Sequence, residues 1–174
     1  MKGEGRLLAI PGGVDDFRKI REGGYYFVDK SELVSDIVND RSEVFLFTRP
    51  RRFGKSLNLS MIDAFFNLEY KGNKWFDGLK VNSHPEVEEH RNAYPVISLC
   101  MKDLVADDVE GFNGRLKLML KSVYRGFKYL RDSDLVDEDL RREYFSAGDL
   151  SDMQMERSVI ALCQMLEQYH GVKP

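Results

Sequence analysis

Val44-Phe45-Leu46-Phe47-Thr48-Arg49-Pro50-Arg51-Arg52-Phe53-Gly54-Lys55-Ser56-Leu57 is the stretch on which the reading of the fold turns. Its four consecutive apolar residues read as a strand buried on both faces, the habit of parallel strands in α/β folds. An arginine-rich turn follows. Leu57, Met61, Phe65 and Leu68 then recur at steps of four, four and three, which predicts a helix from about Lys55 to Leu68 with one buried face. Strand, loop and helix in this order form the frame of a P-loop, where backbone amides and the positive end of a helix dipole meet a phosphate.

Each residue type suits that chemistry. Gly54 lets the backbone approach phosphates, Lys55 can reach the β and γ oxygens, and the Ser56 hydroxyl can complete the shell of a magnesium ion. Arg52, Phe53, Gly54, Lys55, Ser56 and Leu57 form the expected nucleotide-binding set, with ATP and Mg2+ as ligands and Ser56 as the metal contact. The GxxxxGK pattern is broken, because Arg49 stands where its first glycine belongs and Pro50 has no amide to donate. Arg49, Arg51 and Arg52 would surround the loop with positive charge. A solvated basic turn with surface ion pairs is the alternative reading of this cluster, and Arg52 is the preferred phosphate partner.

Two more apolar runs, Tyr25-Tyr26-Phe27-Val28 and Val96-Ile97-Ser98-Leu99-Cys100-Met101, read as strands. Helical patterns lie between and after them. One starts near Asp29, whose carboxylate could cap Glu32, with Leu33, Val34, Ile37 and Val38 inward. A long amphipathic helix is predicted from Val105 to about Arg131. A last one opens on a Ser151/Gln154 capping box, carries a stripe of Met155, Val159, Leu162, Cys163, Leu166 and Tyr169, and ends at Gly171. The acidic run from Asp132 to Asp139 reads as a solvated connection. The expected architecture is an α/β parallel sheet of P-loop NTPase type flanked by helices, incomplete at about three strands.

The bulk properties set limits on function. The 174 residues suit one domain, and 43% hydrophobic with 32% charged residues is a globular composition. A net charge of -3 makes no whole-chain case for nucleic acid or an anionic membrane. No apolar segment is long enough to cross a bilayer or act as a signal peptide, so cytoplasm is the simplest location. Cys100 and Cys163 lack metal or disulfide spacing and read as buried thiols. His84, His90 and His170 are scattered and read as surface residues. Phe17 and Tyr26 could wall an adenine ring but read first as core, and Trp75 as an anchor for a turn. Asp103 reads equally as a group at a strand's carboxyl end or as a helix cap.

Thr48-Arg49-Pro50-Arg51-Arg52-Phe53-Gly54-Lys55-Ser56-Leu57 resembles the signature of the AAA-ATPase-like family of prokaryotic proteins, which shares the arginine at its first position. Tyr26-Phe27-Val28-Asp29-Lys30-Ser31 is similar to that family's YVDK stretch, and Tyr94-Pro95-Val96-Ile97-Ser98-Leu99 resembles its next core strand. The resemblance spans most of the chain from about Leu8. It implies an ATP-binding domain, often followed in longer members by a region similar to PD-(D/E)xK nucleases. In that family a strand with a Walker B acidic motif comes next, whereas this sequence closes on Gly171-Val172-Lys173-Pro174. The expectation is therefore the N-terminal part of a longer ATPase, over 1–174, with ATP binding and weak or no hydrolysis. Two other readings compete: a degenerate loop kept as a protein-interaction module, and an arginine cluster that binds nucleic-acid phosphates through the full-length protein. An open edge on a short sheet leaves room for a homo-oligomer.

Overall fold

Residues 25–28, 44–47 and 96–101, the three apolar runs, carry neither helix nor strand in the computed structural model of the chain. The structure describes residues 8–40, 42–48, 50, 52–145 and 150–174. Helix accounts for 55% of it and strand for 1%, which overturns the expected α/β parallel sheet of P-loop type. The physical reason lies in the faces of these runs. A parallel strand needs cover on both sides, but Val44 and Leu46 are 83% and 84% exposed while Phe45 and Phe47 are half-buried. Apolar content alone does not make a sheet; a strand needs a partner backbone to pair with.

The chain divides into two compact units, residues 1–93 and 94–174. In the first, α1 (Phe17–Glu22) is capped by Asp16, whose carboxylate accepts from the Arg18 and Lys19 amides. It is followed by α2 (Glu32–Asn39) and α3 (Lys55–Phe66). Their core gathers Phe17, Val34, Met61, Ala64, Phe65, Phe76, Val81 and Val87, with the half-buried Leu57 packed against it. The Phe17, Phe65 and Phe76 rings meet at about 5 Å in tilted and edge-on pairs. The helices close this core together with Phe76 from a turn and Val81 and Val87 from 3₁₀ segments, and Phe27 of the first apolar run packs against it. Tying α1 to α3, the Phe17 amide donates to Ser60 Oγ at 3.0 Å.

The Asp29 segment departs from its expected cap. Asp29 accepts from the Ser31 amide at 2.9 Å and the Lys80 amide at 2.8 Å, and the buried Ser31 Oγ accepts from the Val81 amide at 3.0 Å. Among the described residues no side chain caps α2 itself, and Glu32 pairs instead with Lys80 at 2.8 Å. A loop contact has taken the carboxylate that local spacing assigned to the helix.

The second unit holds α4 (Val109–Gly126), α5 (Glu138–Tyr144) and α6 (Asp152–His170). Asp108 caps α4, so the helix starts four residues later than the Val105 expected from periodicity, and a 3₁₀ turn over Lys128–Asp132 follows it. The Ser151/Gln154 capping box forms, and Gly171 ends α6 at φ +70. Leu120, Tyr124, Leu130, Val136, Leu162, Met165 and Leu166 make the core. The acidic run is more than a connection, since Val136 is buried and Asp137 caps α5. Among the described residues no helix is long and apolar enough to cross a membrane.

Candidate functional site

Gly54 precedes α3 at φ +74, a left-handed conformation that glycine adopts without the steric cost a Cβ brings. Arg52, two residues earlier, is also left-handed at φ +66, a strained choice for a residue with a side chain. Left-handed residues in such a turn aim backbone amides toward one side, the geometry of an anion nest. The first bond of α3 runs from the Asn58 amide to the Gly54 carbonyl at 2.9 Å, and among the described residues no side chain caps the helix. The Ser56 and Leu57 amides therefore precede the intrahelical ladder at the positive end of the helix dipole.

Around these amides the side chains divide into two sets. Arg52, Phe53, Lys55 and Ser56 are exposed, Phe53 to 63%, while Leu57 turns into the core and anchors the turn. The Phe53 amide approaches the Pro50 carbonyl at 3.4 Å, a long contact. Among the described residues, a Cβ built on Gly54 meets no atom within 4 Å beyond its chain neighbours, so the space beside Gly54 is open. The structure thus brings Arg52, Phe53, Gly54, Lys55, Ser56 and Leu57 together at one helix terminus. Arg49 and Arg51 lie outside the described residues.

Other sequence candidates fall elsewhere. Phe17 is fully buried core, whereas Tyr26 is 54% exposed, so the core reading holds for the first and fails for the second. Trp75 packs against the core of the first unit, and its Nε1 donates to Glu22 at 2.9 Å, as an anchor would. His84 Nδ1 lies 3.1 Å from both Ser35 Oγ and Glu86 Oε1, and His170 Nε2 lies 2.9 Å from the Tyr129 hydroxyl. Each is more engaged than a plain surface histidine. Among the described residues, no group of three His, Cys, Asp or Glu side chains could hold a metal ion.

Cys100 is exposed rather than buried, and burial pushes the half-buried Cys163 thiol up from its ordinary range. Asp103 does not cap α4, since Asp108 takes that role. It lies beside a cavity of about 450 Å³ lined by Ser98, Cys100, Arg115, Met119 and Ser122 among others, and its carbonyl accepts from Arg115 Nη1 at 3.4 Å. Residues so far apart along the chain gave no joint signal in the sequence.

A family model described as "Predicted AAA-ATPase", that of the AAA-ATPase-like family, matches residues 11–173. The chain is also similar to the "Uncharacterized protein in vnfD 5'region" of Azotobacter chroococcum mcd 1, at 35% identity over 113 residues. That alignment covers 64% of this chain and 20% of the relative, so the matched stretch spans about a fifth of that protein's length. No solved structure matches the chain.

Proposed function

We propose, from the premise that this chain belongs to the AAA-ATPase-like family, that the turn entering α3 binds the polyphosphate of ATP together with magnesium. The observation that carries this reading is the uncapped start of α3 behind the left-handed Gly54, with open space beside it. In this reading the Ser56 and Leu57 amides donate to the phosphates, the Phe53 amide joins by giving up its long contact to Pro50, and Lys55 and Arg52 supply positive charge. Gly54 permits the close approach.

Magnesium, when bound, would neutralise phosphate charge. Ser56 is the residue of this loop that can hold it, with phosphate oxygens and water supplying the remaining ligands. Residues 48–57 contain no carboxylate, so this loop by itself supplies groups for binding and none for orienting an attacking water, and the function proposed for it is nucleotide binding.

Thermal melting with ATP, ADP and GTP, with and without magnesium, tests the assignment. At a hundredfold excess over Kd, ATP should add about 2.7 kcal/mol of stability, and Lys55→Ala should abolish that gain. An equal gain in the variant would refute it. The exposed Val44, Leu46 and Phe53 favour a second reading, in which the segment is a protein-interaction surface. That reading expects no shift with any nucleotide.

A further inference from the structure

Arg141, on α5, holds its Nε shielded from solvent with no hydrogen-bond acceptor, the one such buried side-chain atom among the described residues. Its Nη1 reaches the Arg131 carbonyl at only 3.4 Å. A buried donor on a charged group is costly to leave unmade, more so than a neutral one. The place calls for an oxygen that the described chain does not supply.

In front of Arg141 lies a cleft of about 420 Å³ lined by Arg131, Asp132, Glu138, Arg141, Arg142 and Phe145. Three guanidiniums face two carboxylates. Arg142 is held by Glu138 at 2.5 Å, and Arg131 stands 3.8 Å from Asp132, all four side chains being mostly exposed. Arg141 alone of the three has no carboxylate within ion-pair distance among the described residues. The cleft therefore carries one uncompensated positive charge, on the guanidinium whose Nε lacks an acceptor.

We infer that this cleft is an oxyanion site of the phosphate class. A phosphate offers three or more acceptor oxygens around one centre and can engage the terminal nitrogens of Arg141, and a rotation of the side chain toward the cleft brings the shielded Nε into the paired geometry guanidinium favours. Its further oxygens can draw Arg131 and Arg142 away from Asp132 and Glu138, since exposed ion pairs are weak and exchange at little cost. A monocarboxylate fills fewer of these donors and binds less well. Phe145 closes one side with an apolar wall, and the volume admits a small phosphorylated molecule. Asp132 and Glu138 compete with the anion and keep the site from being a general basic patch.

The test is calorimetric titration of the Lys55→Ala chain, which disables the loop before α3, with inorganic phosphate and separately with pyrophosphate and acetate. Adding Arg141→Gln should weaken phosphate binding about tenfold, and Glu138→Gln, which removes a competing carboxylate at an exposed position, should strengthen it. Stronger binding of pyrophosphate than of phosphate would point to a polyphosphate ligand, and the reverse to a single phosphate group; either supports the site. No binding by the Lys55→Ala chain would mean that water satisfies Arg141, and would overturn the inference. So would equal affinity with and without Arg141→Gln together with no gain from Glu138→Gln. Circular dichroism melts confirm that each variant is folded before its affinity is compared.

Discussion

Gly54→Ala separates the backbone cost of the loop from its ligand chemistry. At φ +74, with no atom within 4 Å of an added Cβ, the substitution adds no clash and costs only the left-handed conformation, about 1–2 kcal/mol. At this chain length each kcal/mol lowers Tm by about 2–4 °C, so a drop of about 2–8 °C follows. Gly24 provides the control: its φ is +62 and a Cβ there also meets nothing within 4 Å. Gly24→Ala should lower Tm by a similar amount. The two variants part company with nucleotide. In the proposed site the methyl added at Gly54 would stand in the space from which a phosphate reaches the Ser56 and Leu57 amides, whereas Gly24 is remote from α3 in sequence and lies outside that site. The assay is the melting temperature of the chain, Gly54→Ala and Gly24→Ala at increasing ATP with magnesium. ATP should raise Tm for the chain and for Gly24→Ala, and leave Gly54→Ala unmoved. Equal rises in both variants would refute the reasoning, because the methyl would then stand in no ligand's path.

Two further outcomes follow from single residues. Burial pushes the Asp29 carboxyl up, but hydrogen bonds from Ser31 and Lys80 outweigh it and leave the pKa below its ordinary value. A carboxyl depressed in the folded state contributes stability that is present above the unfolded value of about 3.9 and is lost as pH falls through the lower folded one. Asp29→Asn should therefore cost about 1–2 kcal/mol at neutral pH and progressively less below about pH 4; urea titrations from pH 7 to pH 3 check it, and a penalty that stays constant would count against it. For the thiols, a disulfide reagent at pH 8 should modify the exposed Cys100 at least about tenfold faster than Cys163, which is half-buried with a raised pKa; a single phase for both would show that burial does not protect Cys163.

The loop entering α3 was readable because its signals are local. Glycine before Lys-Ser, an apolar stripe behind it and arginines in front all lie within a few residues, and the structure sets Arg52, Phe53, Gly54, Lys55, Ser56 and Leu57 at one helix terminus. Family membership was likewise legible from the residues around that loop. The caps and ends of α6 followed the same logic, since the Ser151/Gln154 box and Gly171 act on their own neighbours. Most of its stripe is also inward, although Val159 is 37% exposed while Ser158, Ala161 and Met165 are buried beside it.

Whatever depended on a distant partner was decided by the tertiary structure. Val44 to Phe47 has the composition of a buried strand, but a sheet needs another backbone to accept and donate, and pairing cannot be inferred from one segment's side chains. Asp29 had a helix amide within reach in sequence and bonded the Lys80 amide instead. The core of the first unit joins Phe17 to Phe65 and Phe76 across about fifty residues, a choice made by shape and packing density rather than by period. The cleft at Arg141 is likewise invisible as a pattern, because it exists only once α5 has folded beside the 3₁₀ turn at Lys128–Asp132. By itself the sequence determined the capping box and end of α6, most of its inward face, and the family; the tertiary structure decided which backbone groups found partners, because hydrogen-bond pairing and burial are properties of residues brought together from far along the chain.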